Sequence, residues 1–268
     1  MTDQMEANVF FGPAGWSYAD WRGAVYPPAL PPGFNPLEFL AKDFDFVEVN
    51  TTFYRIPDAR LAEGWVRKTR HLDHFAFWVK LLQNFTHQRK LEKAEVGAFR
   101  QSLAPLRDSS KLLGLLAQFP YSFKHSDENL EYLDHLADAF APDTLAVEFR
   151  HDSWNRNDVL DWFRRKNLVW TNIDQPVISS SLPLTSHFTH SDSSYVRLHG
   201  RNYRNWFSGE GRDARYDYLY SALELGQIAE AIRRLKDQAK KIFVSGNNHY
   251  KGSAVKNLLQ LKKMIPGK

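Results

Sequence analysis

The sequence contains no cysteine among its 268 residues. This absence excludes disulfide bonds, a thiolate nucleophile, iron–sulfur clusters and zinc sites built on cysteine. The chain also lacks an apolar run near the length of about 18 residues that a membrane helix needs. Its first ten residues have neither the basic flank nor the apolar segment of a signal peptide. We therefore expect a cytoplasmic protein with no membrane partner, whose chemistry uses oxygen and nitrogen groups.

The composition is that of a folded protein. Hydrophobic residues make up 43% of the chain and charged residues 25%, which excludes intrinsic disorder and a fibrous repeat. Thirty-five Lys and Arg residues against 31 Asp and Glu residues give a net charge of +4. This mild basic excess permits anionic partners without requiring them. The length favours a single domain, which we expect to span residues 1–268.

The order of secondary structure can be predicted from alternating apolar patterns. Runs rich in β-branched and aromatic residues predict eight strands, at 9–12, 44–49, 75–80, 112–119, 145–149, 168–173, 195–198 and 242–245. Apolar residues at helical spacing lie between most of them, at 60–69, 91–103, 130–140, 159–165, 219–235 and 255–264. Eight strands alternating with helices predict an α/β fold of the TIM (β/α)8 barrel type, with a doubly wound open sheet as the alternative. Residues 175–194 show no helical period, which predicts a long loop.

Polar side chains follow nearly every predicted strand. Because side chains alternate along a strand, Glu48 and Asn50 share a face, as do Glu148 and Arg150. The carboxyl ends of TIM-barrel strands carry the active site in enzymes of this fold. We therefore expect a pocket at this end, lined by Trp16, Ser17, Glu48, Asn50, Tyr54, Lys80, Gln118, Glu148, Arg150, Arg197, His199, Arg201, Asn247 and Asn248.

The basic residues of this set favour a phosphate-bearing substrate. Guanidinium groups match phosphate oxygens two at a time, so we expect charge binding by Lys80, Arg150, Arg197 and Arg201. The segment 201–207 interleaves arginine with aromatic residues, which is typical of nucleotide or nucleic-acid contact. We predict a hydrolase acting on a small anionic substrate or nucleic acid, with Glu48 or Glu148 as general base and His199 as acid.

Other functions remain open at this point. Glu48 and Glu148 would suit a two-carboxylate glycoside hydrolase, with sugar rings stacked on nearby aromatic residues. The basic and aromatic segment would also suit a nucleic-acid-binding protein without catalysis. Lys80 would form a Schiff base if desolvated, although a charged pair with Glu48 is the simpler expectation.

No cofactor is predicted, and a divalent metal is the less favoured alternative. Its ligands would come from His87, His151, His199, His249, Glu48, Glu148 and Asp174. The chain has no His-Glu-x-x-His motif, and the neighbouring Lys80 and Arg150 would oppose a cation.

Several motifs resemble the YecE-like family, the domain-of-unknown-function family numbered 72. They are Gly-Trp-Ser-Tyr at 15–18, Phe-Val-Glu-Val-Asn-Thr-Thr-Phe-Tyr at 46–54, Phe-Thr-His at 85–87, Gln-Phe-Pro at 118–120, Val-Glu-Phe-Arg-His at 147–151, Val-Arg-Leu-His-Gly at 196–200 and Asn-Asn at 247–248. The resemblance spans nearly the whole chain and implies a TIM barrel with no established reaction. The family usually has Phe where this chain has Gly246, and we expect the missing ring to widen the pocket floor.

Overall fold

The computed structural model describes residues 8–204 and 215–265. Within them, eight parallel strands form one sheet in the order β1-β8-β7-β6-β5-β4-β3-β2. The predicted single barrel domain is confirmed, and each predicted strand overlaps an observed one: β1 (Asn8–Pro13), β2 (Phe46–Val49), β3 (Ala76–Lys80), β4 (Leu112–Gln118), β5 (Leu145–Glu148), β6 (Val169–Asp174), β7 (Ser193–Leu198) and β8 (Lys241–Gly246).

The sheet closes almost completely between its edge strands β1 and β2. The Asp45 amide donates to the Phe11 carbonyl oxygen at 2.9 Å, and the Gly15 amide donates to the Glu48 carbonyl oxygen at 2.8 Å. Gly12 permits this close approach, because a Cβ there would lie 2.2 Å from the Phe46 carbonyl oxygen. The curled sheet is therefore a nearly closed barrel rather than the open doubly wound alternative.

Helices surround the barrel and bury their apolar faces against the outward side chains of the strands. They are α1 (Pro36–Leu40), α2 (Ala59–Thr69), α3 (Gln83–Thr86), α4 (Lys93–Ser102), α5 (Ala104–Asp108), α6 (Asp127–Phe140), α7 (Asn157–Lys166), α8 (Ala222–Lys236) and α9 (Ser253–Met264). In the described parts of the chain, every helix is too short or too polar to cross a bilayer. Residues 175–192 contain no helix, as predicted.

The barrel interior is layered along the strand direction. An apolar layer contains Phe46, Trp78, Leu116, Ala146, Tyr195 and Phe243, with the rings of Trp78 and Tyr195 stacked at 4.4 Å. Two residues further along the same strands stand Glu48, Lys80, Gln118, Glu148, Arg197 and Ser245. The period of two in each strand thus places a polar layer directly on an apolar floor, at the carboxyl end of the strands, here called the barrel mouth.

The predicted effect of Gly246 was wrong. A Cβ at this position would lie 3.0 Å from Leu258 Cδ1 and 3.1 Å from the Cβ of Ala254. Both neighbours belong to α9, outside the barrel. Glycine at this position therefore allows α9 to pack closely on β8 and does not widen the floor of the mouth.

Candidate functional site

Arg197 lies at the centre of the barrel mouth between two glutamates. Its Nε and Nη2 donate to the two carboxylate oxygens of Glu48 at 2.8 and 2.5 Å, and its Nη1 donates to Glu148 Oε2. Arg197 is 1% exposed and both glutamates are 0% exposed. A buried charge requires this kind of compensation, so all three charges are committed to one another. We call these three residues the central ion-pair network.

Two hydroxyl groups complete the shell of Glu48. Tyr195 donates to Glu48 Oε2 at 2.6 Å, and Ser245 donates to the same oxygen at 3.3 Å. Sequence reasoning missed both residues. The alternation of β7 and β8 gives a signal, because Tyr195 and Ser245 share the inward face with Arg197 and Phe243, respectively.

The second oxygen of Glu148 faces Arg150 and His199. Arg150 Nη2 lies 2.7 Å from Glu148 Oε1, and His199 Nε2 lies 3.3 Å from the same atom. Burial alone would raise the pKa of Glu148, but Arg150, Arg197 and His199 outweigh it and hold that pKa well below its ordinary value. Glu148 is therefore a carboxylate at neutral pH.

His199 is held in its neutral form. Burial, followed by the charge of Arg150, lowers the pKa of His199 to about 3. The Asn247 side-chain nitrogen lies 2.9 Å from His199 Nδ1. The structure thus brings together Glu48, Glu148, Arg150, Arg197, His199 and Asn247, as the strand-end pattern predicts.

Arg201 and Asn248 point elsewhere, although both were predicted in the pocket. Gly200 has a φ of 86°, a left-handed turn that carries the chain out of the mouth after β7. Arg201 then binds the Asp174 carboxylate through Nε and Nη2, the latter at 2.7 Å. Asn248 is buried against the outer layer, where it donates to the Tyr218 carbonyl oxygen and to Asn257.

A cavity of about 740 Å³ opens beside the network, along the seam between β1 and β2. It extends from the barrel mouth to α1 and α2. The described residues that line it include cations but no aspartate or glutamate. Of the predicted site residues, the cavity wall contains Trp16, Ser17, Asn50, Tyr54, Lys80 and Asn247. The aromatic rings of Phe53, Trp65 and Tyr216 also contribute to it.

The outer cations of this cavity were not predicted. Arg55, Arg60, Arg67 and Lys68 are exposed side chains on α2 and the turn before it. Arg60 and Arg67 flank Gly64 at spacings of four and three residues, so the three share one face of α2. Sequence reasoning treated this segment only as a barrel helix. The sequence does contain a signal for this surface, because two cations fall on one helix face on either side of a glycine.

Lys80 stands at the inner end of the cavity, where the barrel mouth begins. Its Nζ donates to Gln118 Oε1 at 2.8 Å and lies 4.2 Å from the centroid of the Phe53 ring. Burial, followed by the charge of Arg197, lowers the pKa of Lys80 to about 7. Among the described residues it has no carboxylate within 4.0 Å, so the expected charged pair with Glu48 is not formed.

The histidines considered as metal ligands occupy separate places. His151 accepts a hydrogen bond from the Ser153 amide, His87 packs edge-on against Phe53, and His249 stacks on Tyr18. In residues 8–204 and 215–265, no group of three or more His, Asp or Glu side chains is arranged to hold a metal ion. Part of the predicted nucleic-acid segment, residues 205–207, lies outside the described residues.

Comparison with known proteins identifies relatives over almost the full chain. The family model "Protein of unknown function DUF72" matches residues 10–268. The chain belongs to this family. The UPF0759 protein YunF of Bacillus subtilis is 31% identical over 272 residues, which cover 96% of this chain and 94% of YunF.

Solved structures of DUF72 proteins have the same fold. A DUF72 protein from Thermotoga maritima is 38% identical, with a TM-score of 0.86, and the match covers 96% of this chain and 98% of that chain. A second, from Enterococcus faecalis, is 26% identical with a TM-score of 0.83, over 96% and 94% of the two chains. Membership in the DUF72 family thus supports the TIM barrel, and a shared fold does not by itself determine a reaction.

Proposed function

We propose that this DUF72 protein binds a small phosphate-bearing ligand with a ring, such as a nucleotide, in the cavity between β1 and β2. The observation that carries the proposal is the charge of the cavity wall. Its described lining includes Arg55, Arg60, Arg67, Lys68 and Lys80, with no acidic side chain to neutralise them. Guanidinium and ammonium groups without counterions favour the phosphate group among common ligand groups.

The aromatic rings of the cavity support the proposal that the ligand contains a ring. Trp16 packs edge-on against Trp65 at 5.8 Å, which leaves a fixed aromatic wall beside the cations. Tyr54 is 52% exposed and lines the same space. A base or sugar ring stacks on such surfaces at little conformational cost. Phosphate groups would meet α2, while the rest of the ligand reaches inward towards Asn50 and Lys80.

A hydrolase mechanism on Glu48, Glu148 and His199 remains a prediction, and the geometry does not favour it. Arg197 bridges the two glutamates, and Glu148, whose pKa is held well below its ordinary value, is a weak base. His199 is uncharged at neutral pH and has no acidic proton beyond its neutral ring N–H. We assign Glu148 and His199 to positioning Arg150, and Glu48 to holding Arg197 at the centre of the mouth.

Thermal unfolding with matched ligand pairs tests the binding proposal. Nucleoside monophosphates are compared with the corresponding nucleosides, and sugar phosphates with the free sugars. A ligand at about 100 times its Kd adds about 2.7 kcal/mol to the free energy of unfolding, which gives a clear rise in Tm. We expect the phosphorylated member of each pair to raise Tm, and we expect Arg60→Ala combined with Arg67→Ala to remove most of the rise.

Arg70→Ala is the matched control. Arg70 is exposed at the end of α2 but does not line the cavity, so its removal should leave the Tm rise intact. Equal Tm rises with nucleosides and nucleotides would contradict the proposal. An equal loss of the Tm rise in the Arg70→Ala variant would show that the effect comes from the net charge of α2 and not from the cavity.

A further inference from the structure

Lys80 differs from the other charged groups of the barrel mouth in its surroundings. It is half-buried, points into the cavity from the end of β3, and makes its hydrogen bond with a neutral amide. The Gln118 Nε2 donates to the Phe119 carbonyl oxygen at 2.7 Å, which fixes Gln118 Oε1 as the acceptor for Lys80. The Lys80 Nζ is therefore held in one place at the inner end of the cavity.

The central ion-pair network explains why Lys80 has no carboxylate within 4.0 Å among the described residues. Both oxygens of Glu48 are bonded to Arg197, and Glu148 is shared between Arg197 and Arg150. The carboxylates nearest to Lys80 are thus already paired with arginines, and their attraction for Lys80 is outweighed by burial and by repulsion from Arg197. A lysine in such a place loses its proton more easily, and about half of its amine is uncharged near pH 7, compared with roughly three parts in 10⁴ for an ordinary lysine.

We propose that Lys80 is a nucleophilic amine that forms an imine with the carbonyl group of a phosphorylated aldehyde or ketone bound in the cavity. The requirement for phosphate rests on the proposed function, whereas the role of the amine rests on Lys80 and the network. Lys80 lines the cavity that Arg60 and Arg67 also line, so the amine and the two guanidinium groups face one space.

The chemical step needs no oxidant or reductant. The Nζ lone pair attacks the carbonyl carbon, a C–N bond forms, and the carbonyl π pair moves to oxygen. That oxygen takes up a proton while Nζ loses one, which gives a carbinolamine. The carbinolamine hydroxyl then takes up a second proton from solvent, the C–O bond breaks and water leaves, while the nitrogen lone pair forms the C=N bond. The resulting iminium would withdraw electrons from the adjacent carbon, which is the use of lysine imines in catalysis.

Reductive trapping of the imine tests the proposal. The full-length protein is incubated at pH 7 with glycolaldehyde phosphate or dihydroxyacetone phosphate and sodium cyanoborohydride, and the modified lysines are mapped by peptide mass spectrometry. We expect Lys80 to be labelled at least about tenfold faster than any exposed lysine, because far more of its amine is uncharged. The labelling rate should fall as the pH is lowered below 7.

Two variants sharpen the test. Lys80→Arg keeps the positive charge but has no nucleophilic amine, so the adduct should vanish. Lys42→Arg is the matched control, because Lys42 also lies over a phenylalanine ring, Phe39, but is exposed outside the cavity. The Lys42→Arg variant should retain full labelling at Lys80. If the Lys80→Arg variant does not fold, the peptide map of the labelled wild-type protein still decides whether Lys80 forms the imine.

The outcomes separate this inference from the proposed function. Adducts spread over exposed lysines with none on Lys80, while phosphorylated ligands still raise Tm, would overturn the imine and leave phosphate binding standing. If Lys80 is labelled as fast with unphosphorylated glycolaldehyde as with glycolaldehyde phosphate, the result would support a nucleophilic Lys80 amine and overturn the phosphate requirement. No Lys80 adduct and no Tm rise with any phosphate compound would overturn both.

Discussion

The two sides of the barrel mouth use the same kinds of charged residue in opposite ways. On the side of β7, Arg197 is sealed from solvent and each of its charged contacts is a carboxylate. On the side of β3, Lys80 faces a cavity whose described wall is cationic. A cation surrounded by acids contributes to structure, whereas a cation surrounded by cations is available to a ligand.

The two sides also depend on each other. Because Arg197 and Arg150 occupy Glu48 and Glu148, neither carboxylate pairs directly with Lys80, and burial together with the charge of Arg197 outweighs their attraction. The sealed side thus sets the electrostatics of the open side. Strongly displaced pKa values next to a cavity are a common mark of functional sites, and here Lys80 lines the cavity whereas Glu148, whose pKa is displaced downward, does not.

Breaking the sealed side should have the largest effect. Arg197→Met removes the shared partner of two fully buried carboxylates, and we expect a loss of about 3–5 kcal/mol in the free energy of unfolding. Urea unfolding at pH 7 measures it. The exposed pair Arg164–Asp161 on α7 offers the control, since Arg164→Met should cost less than about 1 kcal/mol. Similar losses in both variants would show that the network does not stabilise the barrel.

On the open side, replacing the cation should stabilise the protein, and the gain should depend on pH. Lys80 titrates near 7 when folded and near 10.5 when unfolded. Between these values the unfolded chain binds more protons, so wild-type stability rises with pH there. The Lys80→Met variant lacks this pH-dependent contribution to stability. The stability advantage of the variant over the wild type should be greatest at pH 7 and below, and should shrink by at most about 1.4 kcal/mol per pH unit from pH 7 to 9. A constant gap between the two proteins would mean that Lys80 stays charged.

Arg201 allows a third test, because it was expected to bind substrate and is found paired with Asp174. Arg201→Ala leaves Asp174, which is 2% exposed, with Tyr220 as a donor at 2.7 Å. We expect a loss of about 2 kcal/mol in stability with no change in nucleotide affinity. Calorimetric titration measures the affinity and urea unfolding the stability. Weaker nucleotide binding by a folded Arg201→Ala protein would show that Arg201 contributes to the binding site.

Much of this arrangement was readable from local sequence patterns. Apolar runs separated by helical periods gave the barrel, and the alternation of side chains put Glu48, Glu148 and His199 at one end of it. These are properties of single strands. They hold wherever the strands are placed in the closed sheet, which is why the fold and the residues of the mouth were predicted together.

Sequence patterns could not predict in the same way which side chains bind one another. Glu48 and Arg197 come from strands on different parts of the barrel, and their bond depends on its curvature and register. The direction of Arg201 depends on one backbone angle at Gly200, which sends the next side chain outward. The cavity wall on α2 depends on how closely that helix approaches the seam between β1 and β2. Sequence patterns describe elements one at a time and do not contain these distances.

The smallest expected effect concerns the outer cations of the cavity. Arg67→Ala removes an exposed charge from α2, so it should change stability by less than about 0.5 kcal/mol. The same change should weaken nucleotide binding by about 1 kcal/mol at low salt, and the difference should shrink as ionic strength rises, because exposed charges are screened. Calorimetric titration at two salt concentrations measures both. A loss of affinity that is independent of salt would indicate that Arg67 shapes the cavity instead of attracting the phosphate group.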